Sequence, residues 1–357
     1  MINNLTIRNF KSIKDLTINC KRINLFIGEP NTGKSNILEA LGLLSWLDYA
    51  EIPAQQKYSQ DSTQLIVPPQ QYHTRLFDFI RFIGIQDLFL DGLIDDKIEI
   101  SIKKKSEIGI EMKLKAGFVI LEKKAEKTGK KSNKKQEIVR LDFKGDVTEI
   151  SSPIKDFSSI KFYRFQKQQF YFPFNTSSYL LPPFGSNLFS LVMSNKRLRE
   201  IMTGFYRESD LTLVLKPQNM TFEIQIQREN FVFSYPYISV SDTLQRIIFH
   251  IIAMESNENS TLVFEEPESY AFPYFTSHLG ERIAKYDTNQ HFISTHNPYL
   301  LQSILEKADK KEVNVFVTFV EDLQTRVVQL TSEQISTEIL DADPFFNLDK
   351  FTDRGDE

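Results

Sequence analysis

The segment Gly28-Glu29-Pro30-Asn31-Thr32-Gly33-Lys34-Ser35 fits the spacing G-x-x-x-x-G-K-[ST] with no mismatch. Gly28 and Gly33 permit the dihedrals that turn several backbone N–H groups toward one point, where they form an anion nest. Lys34 and Ser35 bring a cation and a metal-binding hydroxyl to the same point. A triphosphate fits there, with Lys34 expected to neutralise the outer phosphates and Ser35 to ligate Mg²⁺. A second group of candidates is Glu265-Glu266-Pro267-Glu268, which ends the apolar run that starts at Thr261. Adjacent acids after a strand are also a common signal for a helix start. Beside a phosphate loop they have chemical work: Glu265 is suited to hold Mg²⁺ directly or through water, and Glu266 to polarise the water that attacks a γ-phosphate. The third candidate, His296, lies just past the apolar run His291-Phe292-Ile293-Ser294-Thr295, where it can reach a γ-phosphate and report its presence.

These groups converge only if the right elements carry them. Ile23 to Ile27 reads as a strand feeding the loop. The apolar residues Ile37, Leu38, Ala40, Leu41, Leu44, Trp46 and Leu47 predict a helix buried against a sheet, with its positive end at the phosphates. Thr261 to Phe264 reads as a strand covered on both faces, so its acids fall at the carboxyl edge of a parallel sheet, where ligands of such folds bind. Upstream, Leu5 to Phe10 and Asp15 to Ile18 alternate apolar and polar side chains around the turn Lys11 to Lys14, which predicts a hairpin. Downstream, helices are expected at about 188–206, with Ser186 or Asn187 as its cap, and at 244–254, 274–286 and 333–340. Strands are expected at 160–165, 211–215, 221–226, 231–235, 313–320 and 326–330. Of the remaining histidines, His250 reads as a satisfied core residue, and His73, His278 and His291 as surface or structural.

The 357 residues, 41% of them hydrophobic, can fill a sizeable core. A net charge of -4 gives no global attraction to nucleic acid or an anionic membrane. One cysteine, Cys20, excludes a disulfide framework and a cysteine-rich zinc site. No apolar run has the length of a membrane span, and the amino terminus lacks a signal-peptide pattern, so a cytoplasmic protein without a membrane partner is expected. Residues 51–155 change in character and read as an α/β insertion between an amino-terminal part, 1–50, and a carboxyl-terminal part, 156–357. Within it, Lys103 to Lys135 carries twelve Lys against four Glu. This segment is a solvated loop or, alternatively, a contact for DNA, although it lacks the interleaved aromatics of a stacking surface.

In this order the elements resemble the ABC-type ATPases of the RecF, SMC and OLD kind. Leu5-Thr6-Ile7-Arg8-Asn9-Phe10-Lys11-Ser12-Ile13 resembles their opening strand and turn, and Gly33-Lys34-Ser35-Asn36 has the asparagine they often carry after the Walker A serine. Glu265-Glu266-Pro267-Glu268 is similar to the acidic Walker B of OLD-like members, and Phe292-Ile293-Ser294-Thr295-His296 to their switch histidine. The resemblance implies an α/β P-loop head with a mixed, largely parallel central sheet and an antiparallel β subdomain. It implies ATP held by Gly28, Asn31, Thr32, Gly33, Lys34, Ser35 and Asn36, with Mg²⁺ on Ser35 and Glu265, and Lys34, Glu266 and His296 as the hydrolytic group. It also implies a homodimer or higher homo-oligomer in which a signature serine covers the partner's nucleotide. Ser241 in Ser239-Val240-Ser241-Asp242 holds that place, followed by Asp242 where the family has glycine. Asp242 is expected to cap the helix and point away. Ala271-Phe272-Pro273 departs from the Leu-His-Pro of OLD-like chains, and Gln166 is the candidate Q-loop glutamine.

The inserted segment lacks the heptads of SMC arms, and the 61 residues after His296 leave no room for the Toprim nuclease of OLD proteins. The expected protein is therefore an ATPase without its own nuclease, and the resemblance to stand-alone OLD-like ATPases implies a head that regulates a separate effector, a nuclease or toxin, in bacterial antiphage defence. The alternatives are a DNA-binding structural ATPase of the RecF or SMC type and a nucleotide-gated scaffold with negligible turnover.

Overall fold

The computed structural model describes residues 1–50, 75–104, 108–115, 118–125, 136–150, 157–167, 177–207, 211–336, 345 and 348–351. The chain opens with the expected hairpin, β1 (Ile2–Phe10) and β2 (Ile13–Asn19), then β3 (Ile23–Gly28) and α1 (Lys34–Leu47). After the short helix α2 (Leu76–Phe79) come β4 (Ile98–Lys104), β5 (Ile108–Lys115), β6 (Phe118–Ala125), β7 (Gln136–Leu141) and β8 (Val147–Ile150). Next are β9 (Ile160–Tyr163), α3 (Leu188–Ser194), α4 (Lys196–Arg207) and the meander β10 (Thr212–Lys216), β11 (Thr221–Arg228) and β12 (Phe231–Pro236). The last part alternates α5 (Asp242–Glu255), β13 (Thr261–Glu265), α6 (Pro273–Lys285), β14 (Gln290–Ser294) and α7 (Pro298–Lys307), then closes with β15 (Val313–Glu321), β16 (Gln324–Gln329) and α8 (Ser332–Gln334).

The central sheet has the order β16-β15-β3-β14-β13-β9. All neighbours are parallel except β15 and β16, which turn back through Asp322 and Leu323, both at positive φ. Strands covered on both faces need helices or a second sheet over each side, and the side chains divide accordingly. Phe26, Phe292 and Phe316 face α1, with Phe26 stacked on Phe316 at 5.1 Å between ring centroids. Ile23, Leu25, Ile27 and Ile293 face the opposite way, into the core shared with α5, α6 and α7. Above α1 lies a seven-stranded antiparallel sheet, β2-β1-β4-β5-β6-β7-β8. The layers are therefore antiparallel sheet, α1, central sheet and helices.

Several sequence expectations meet different geometry here. The segment expected as an insertion after residue 50 continues the first hairpin: β4 pairs antiparallel with β1, Leu5 opposite Ile102 and Ile7 opposite Ile100, so one sheet crosses that boundary. The single helix expected over 188–206 is two, because Asn195 is extended and ends α3. Asn187 stands at the start of α3 without capping it. Its Oδ1 instead accepts from the Leu181 N–H (2.8 Å) and its Nδ2 donates to the Tyr179 carbonyl (2.9 Å). His291 is fully buried with neither ring nitrogen hydrogen bonded. Burial pushes it down to about 3, so it stays neutral. His250 is only half satisfied, with Nδ1 against the Arg246 carbonyl and Nε2 unpaired. His73, the lysines 127–135 and the second half of the helix expected at 333–340 lie outside the described residues. Among the described residues no helix is long and apolar enough to cross a membrane.

One buried amide stitches the two sheets together. Gln290 Oε1 accepts from the Ile2 N–H (2.7 Å) and the Thr261 hydroxyl (3.1 Å), while its Nε2 donates to the carbonyls of Ile2 (2.7 Å) and Lys21 (2.8 Å). Gln290→Leu keeps the volume and strands these backbone groups, so urea unfolding should show a loss on the order of 2–4 kcal/mol. A loss within error of zero would show that the stitch carries no stability.

Candidate functional site

The carboxyl ends of β3, β14 and β13 lie side by side, because Ser294 pairs with both Phe26 and Glu265. That register sets the phosphate loop, the acid pair and His296 along one rim. The loop leaves β3 at Gly28 (φ 152°), turns through Asn31 (φ 63°) and enters α1 at Gly33 (φ 94°). A Cβ on Gly33 would lie 1.9 Å from the Thr325 hydroxyl, and one on Gly28 would lie 2.4 Å from the Thr318 carbonyl. Glycine is therefore required at both places by dihedral and by space. Thr32 is buried, its hydroxyl 2.7 Å from that of Thr318, which braces the loop on β15.

The Lys34 amine folds back on this loop and donates to the carbonyls of Gly28 (2.9 Å) and Glu29 (2.6 Å). Burial brings its pKa down to about 8, with Glu266 and Glu29 pulling the other way. Ser35 stands half-buried in the first turn of α1. Asn36 next to it donates to the Ser12 hydroxyl (2.6 Å), which is itself 2.6 Å from that of Thr325. In this geometry Asn36 ties α1 to the turn of the first hairpin and to β16 and does not face the loop's centre.

Glu266 follows β13 at φ 43°, its amide donating to the Ser294 carbonyl (3.1 Å). The Ser269 hydroxyl steadies one carboxylate oxygen (3.0 Å), and the other lies 3.4 Å from Nε2 of His296. Partial burial and the nearby Lys34 charge push His296 below its ordinary value, and Glu266 opposes them. The Lys34 charge acts on both partners, so Lys34, Glu266 and His296 do come together on the rim. Asn297 then caps α7, accepting from the amides of Tyr299 and Leu300, and Pro298 takes the first helical position, which fixes where the histidine loop ends.

Glu265, the expected metal ligand, is held by two arginines instead. Arg81 reaches one oxygen at 2.6 Å and Arg164 the other at 3.5 Å. Both arginines also reach Glu39, a fully buried carboxylate on α1, where the Lys11 amine is the third cation. Sequence reasoning missed this cluster. Its signal was one acid, Glu39, within a helix otherwise apolar all round, which must find positive partners once buried. Glu268 was likewise passed over. It is buried against the Thr295 hydroxyl, and burial pushes it up to about 7.

Ser241 lies outside the Lys34, Glu266 and His296 group. It is exposed at the start of α5, and its hydroxyl makes no bond to the helix amides. Asp242 does not cap that helix as expected. It is the first helical residue and pairs with Lys167 (2.6 Å). Gln166 is exposed just past the carboxyl end of β9, on the same rim.

A parallel sheet carrying a glycine-framed loop and an acid pair at its carboxyl rim defines an ABC-type P-loop ATPase head of the RecF and SMC kind. Comparison with known proteins agrees: the AAA ATPase domain family matches residues 1–183, and the chain belongs to that family. The DNA replication and repair protein RecF of Leptospira interrogans is 29% identical over 133 residues. That match spans 36% of this chain and 30% of the relative's length. Among solved structures, the SmcHead bound to the C-winged helix domain of ScpA is similar in fold, with a TM-score of 0.54 and 13% identity over 94% of this chain and 99% of that one. An SMC head domain from Thermotoga maritima is 14% identical over 92% of this chain and 99% of that one, at a TM-score of 0.45.

The Glu39 cluster makes a ranked prediction. Glu39→Ala leaves three cations around an empty buried position and should cost about 3–5 kcal/mol in chemical denaturation. Arg81→Ala removes a side chain that is 57% exposed and should cost about 1 kcal/mol or less. The reverse order would show that Arg81, not Glu39, holds the cluster.

Proposed function

We propose that this chain binds ATP with Mg²⁺ on the loop 28–36, hydrolyses the γ-phosphoryl bond, and closes with a second copy around the nucleotide to regulate a separate effector protein. The observation that carries the ATPase reading is the convergence of Lys34, Glu266 and His296 on one rim, with Glu266 and His296 3.4 Å apart. The backbone amides of the loop, from Gly28 through Asn31 and Thr32 to Gly33, cradle the phosphates, and the dipole of α1 adds to their pull. Lys34 exchanges its two carbonyl partners for phosphate oxygens. Ser35 would hold Mg²⁺ together with Glu265, once Glu265 exchanged its contacts with Arg81 and Arg164, and the ion would supply charge neutralisation for the terminal phosphates. Glu266 orients a water and takes its proton as the water oxygen bonds to the γ-phosphorus and the bond to the ADP oxygen breaks. His296, kept neutral by its surroundings, donates an N–H to the γ-phosphoryl group. Ser241, exposed and uncommitted to its own helix, is free to meet the nucleotide of the second copy. The effector, a nuclease or toxin of antiphage defence, rests on the resemblance to stand-alone OLD-like ATPases.

A second reading, a DNA-binding structural ATPase, is favoured by the similarity to RecF. Reversing the charges of Lys130, Lys131, Lys134 and Lys135 should then lower DNA affinity and flatten its salt dependence, and wild-type protein without salt-dependent DNA binding would remove this reading.

For the site itself, Lys34→Ala should lose nucleotide binding, while Glu266→Gln should retain binding and turn over about 10²–10⁴-fold more slowly. Glu266→Gln hydrolysing at the wild-type rate would assign the base wrongly, and wild-type protein that binds without turnover would favour a nucleotide-gated scaffold. Because Lys34 sits at about 8 and phosphate favours its charged form, binding above that pH must take up a proton. ATP affinity should fall by up to about tenfold per pH unit above 8, and calorimetry in two buffers of different ionisation heat should read the uptake. Lys34→Arg should abolish that proton uptake.

A further inference from the structure

The meander β10-β11-β12 ends in an edge that the rest of the described chain leaves uncovered. β12 is the outer strand, and all six of its residues, Phe231-Val232-Phe233-Ser234-Tyr235-Pro236, are exposed. Phe231 is 66% exposed, Val232 58%, Phe233 48% and Tyr235 46%, values that surface-wide scatter of single apolar residues does not produce on consecutive positions. β11 shows the contrast, since its Phe222 and Ile224 are buried under α3 and its neighbours. Phe231, Phe233 and Tyr235 stand opposite Arg228, Ile226 and Ile224, so they continue the same apolar face beyond what the helices cover.

The backbone of this edge is also open. Arg228 and Phe231 flank a two-residue turn, which makes them a hydrogen-bonded pair and points the amides of Phe231, Phe233 and Tyr235 inward to β11. The outward groups are then the N–H and C=O of Val232 and Ser234. Pro236 has no N–H and ends the available edge. Natural sheets protect such edges with lysine, a bulge or a covering segment. β12 has no charged residue, pairs with β11 in unbroken register, and among the described residues no other strand pairs with it.

We propose that β12 is an interface for a second copy of this chain, the two strands pairing antiparallel about Phe233 into a six-stranded sheet. The occupant follows from the strand itself. With Phe233 facing its own copy on the two-fold axis, Val232 stands opposite Ser234 of the other copy, and each such pair exchanges two hydrogen bonds. The only outward donors are thereby all used, and Pro236 is never asked for one. Phe231 falls opposite Tyr235, so aromatic side chains meet across the junction on one face, and no like charges oppose each other. The contact is isologous and closes as a dimer. It needs no nucleotide and is independent of the ATPase reading.

The test uses the full chain without nucleotide. Sedimentation across a concentration series should show wild-type dimers, and Phe233→Lys, which sets two ammonium groups on the axis, should weaken association by a factor of about ten or more. Its circular dichroism and nucleotide-dependent thermal shift serve as the folding control. Phe233→Cys should form a disulfide-linked dimer under mild oxidation, because non-hydrogen-bonded antiparallel partners stand close enough. Phe231→Cys, whose partner in this register is Tyr235, should not. The native Cys20 does not compete, since burial pushes its thiol up to about 12. Wild-type protein that is monomeric at every concentration, a dimer that survives Phe233→Lys, or crosslinking through Phe231→Cys in place of Phe233→Cys overturns the proposal.

Discussion

A carboxylate with no solvent exposure sits at the middle of this fold, and much else is arranged to compensate it. Glu39 lies on α1, five residues past the phosphate-loop lysine, in a layer closed above by one sheet and below by another. Its cations come from three separate places: Lys11 from the first hairpin turn, Arg81 from the segment after α2, and Arg164 from just beyond β9. Placing an ion there is costly unless the partners are held in register. The cluster therefore couples the antiparallel sheet, α1 and the edge of the central sheet. Arg81 and Arg164 carry the coupling on to Glu265, so the same charges that satisfy the core set the position of the first acid on the rim.

The rim obtains its geometry from the same economy of parts. Parallel pairing of β3, β14 and β13 aligns three strand ends, and each end is then fixed by a different local device. Glycines shape the end of β3, a left-handed residue at Glu266 shapes the end of β13, and an Asn-Pro cap closes the segment that follows β14. Thr318 and Thr325, from β15 and β16, pack so closely on the loop that any side chain at its two glycines would displace them. Catalytic geometry and packing thus impose one requirement on those positions.

What could be read from the sequence follows how local each signal is. The phosphate loop, the acid pair and the strands leading to them are contiguous patterns, and Gly28, Lys34, Glu266 and His296 fall where those patterns put them along the sheet edge. The pairing of β4 with β1 joins residues separated by a long and compositionally different stretch, and nothing local to Ile98 or Leu5 specifies it. The capping roles expected of Asn187 and Asp242 failed for a related reason. Both residue types suit a helix start, but a more distant partner, the Tyr179 to Leu181 backbone for one and Lys167 for the other, competes successfully for the side chain. His291 shows the limit of polarity as a guide, since a neutral imidazole can be buried without partners if the strand around it is worth burying.

The charges on which nucleotide chemistry would depend are already engaged by the protein itself. Lys34 donates to two loop carbonyls, and Glu265 lies against two arginines. Binding a phosphate and a metal here is then an exchange of partners and not the filling of an unpaired site, so the net gain is the difference between old and new contacts. That exchange has a structural consequence. Releasing Glu265 would leave Glu39, on the helix that begins at the phosphate loop, as the one carboxylate that Arg81 and Arg164 still share, with Arg164 also held by the carbonyls of Asp78 and Phe79. In the proposed function, metal binding at Glu265 would thereby be felt in α1, which packs under the antiparallel sheet, and at the edge strand β9, which leads into the Gln166 loop.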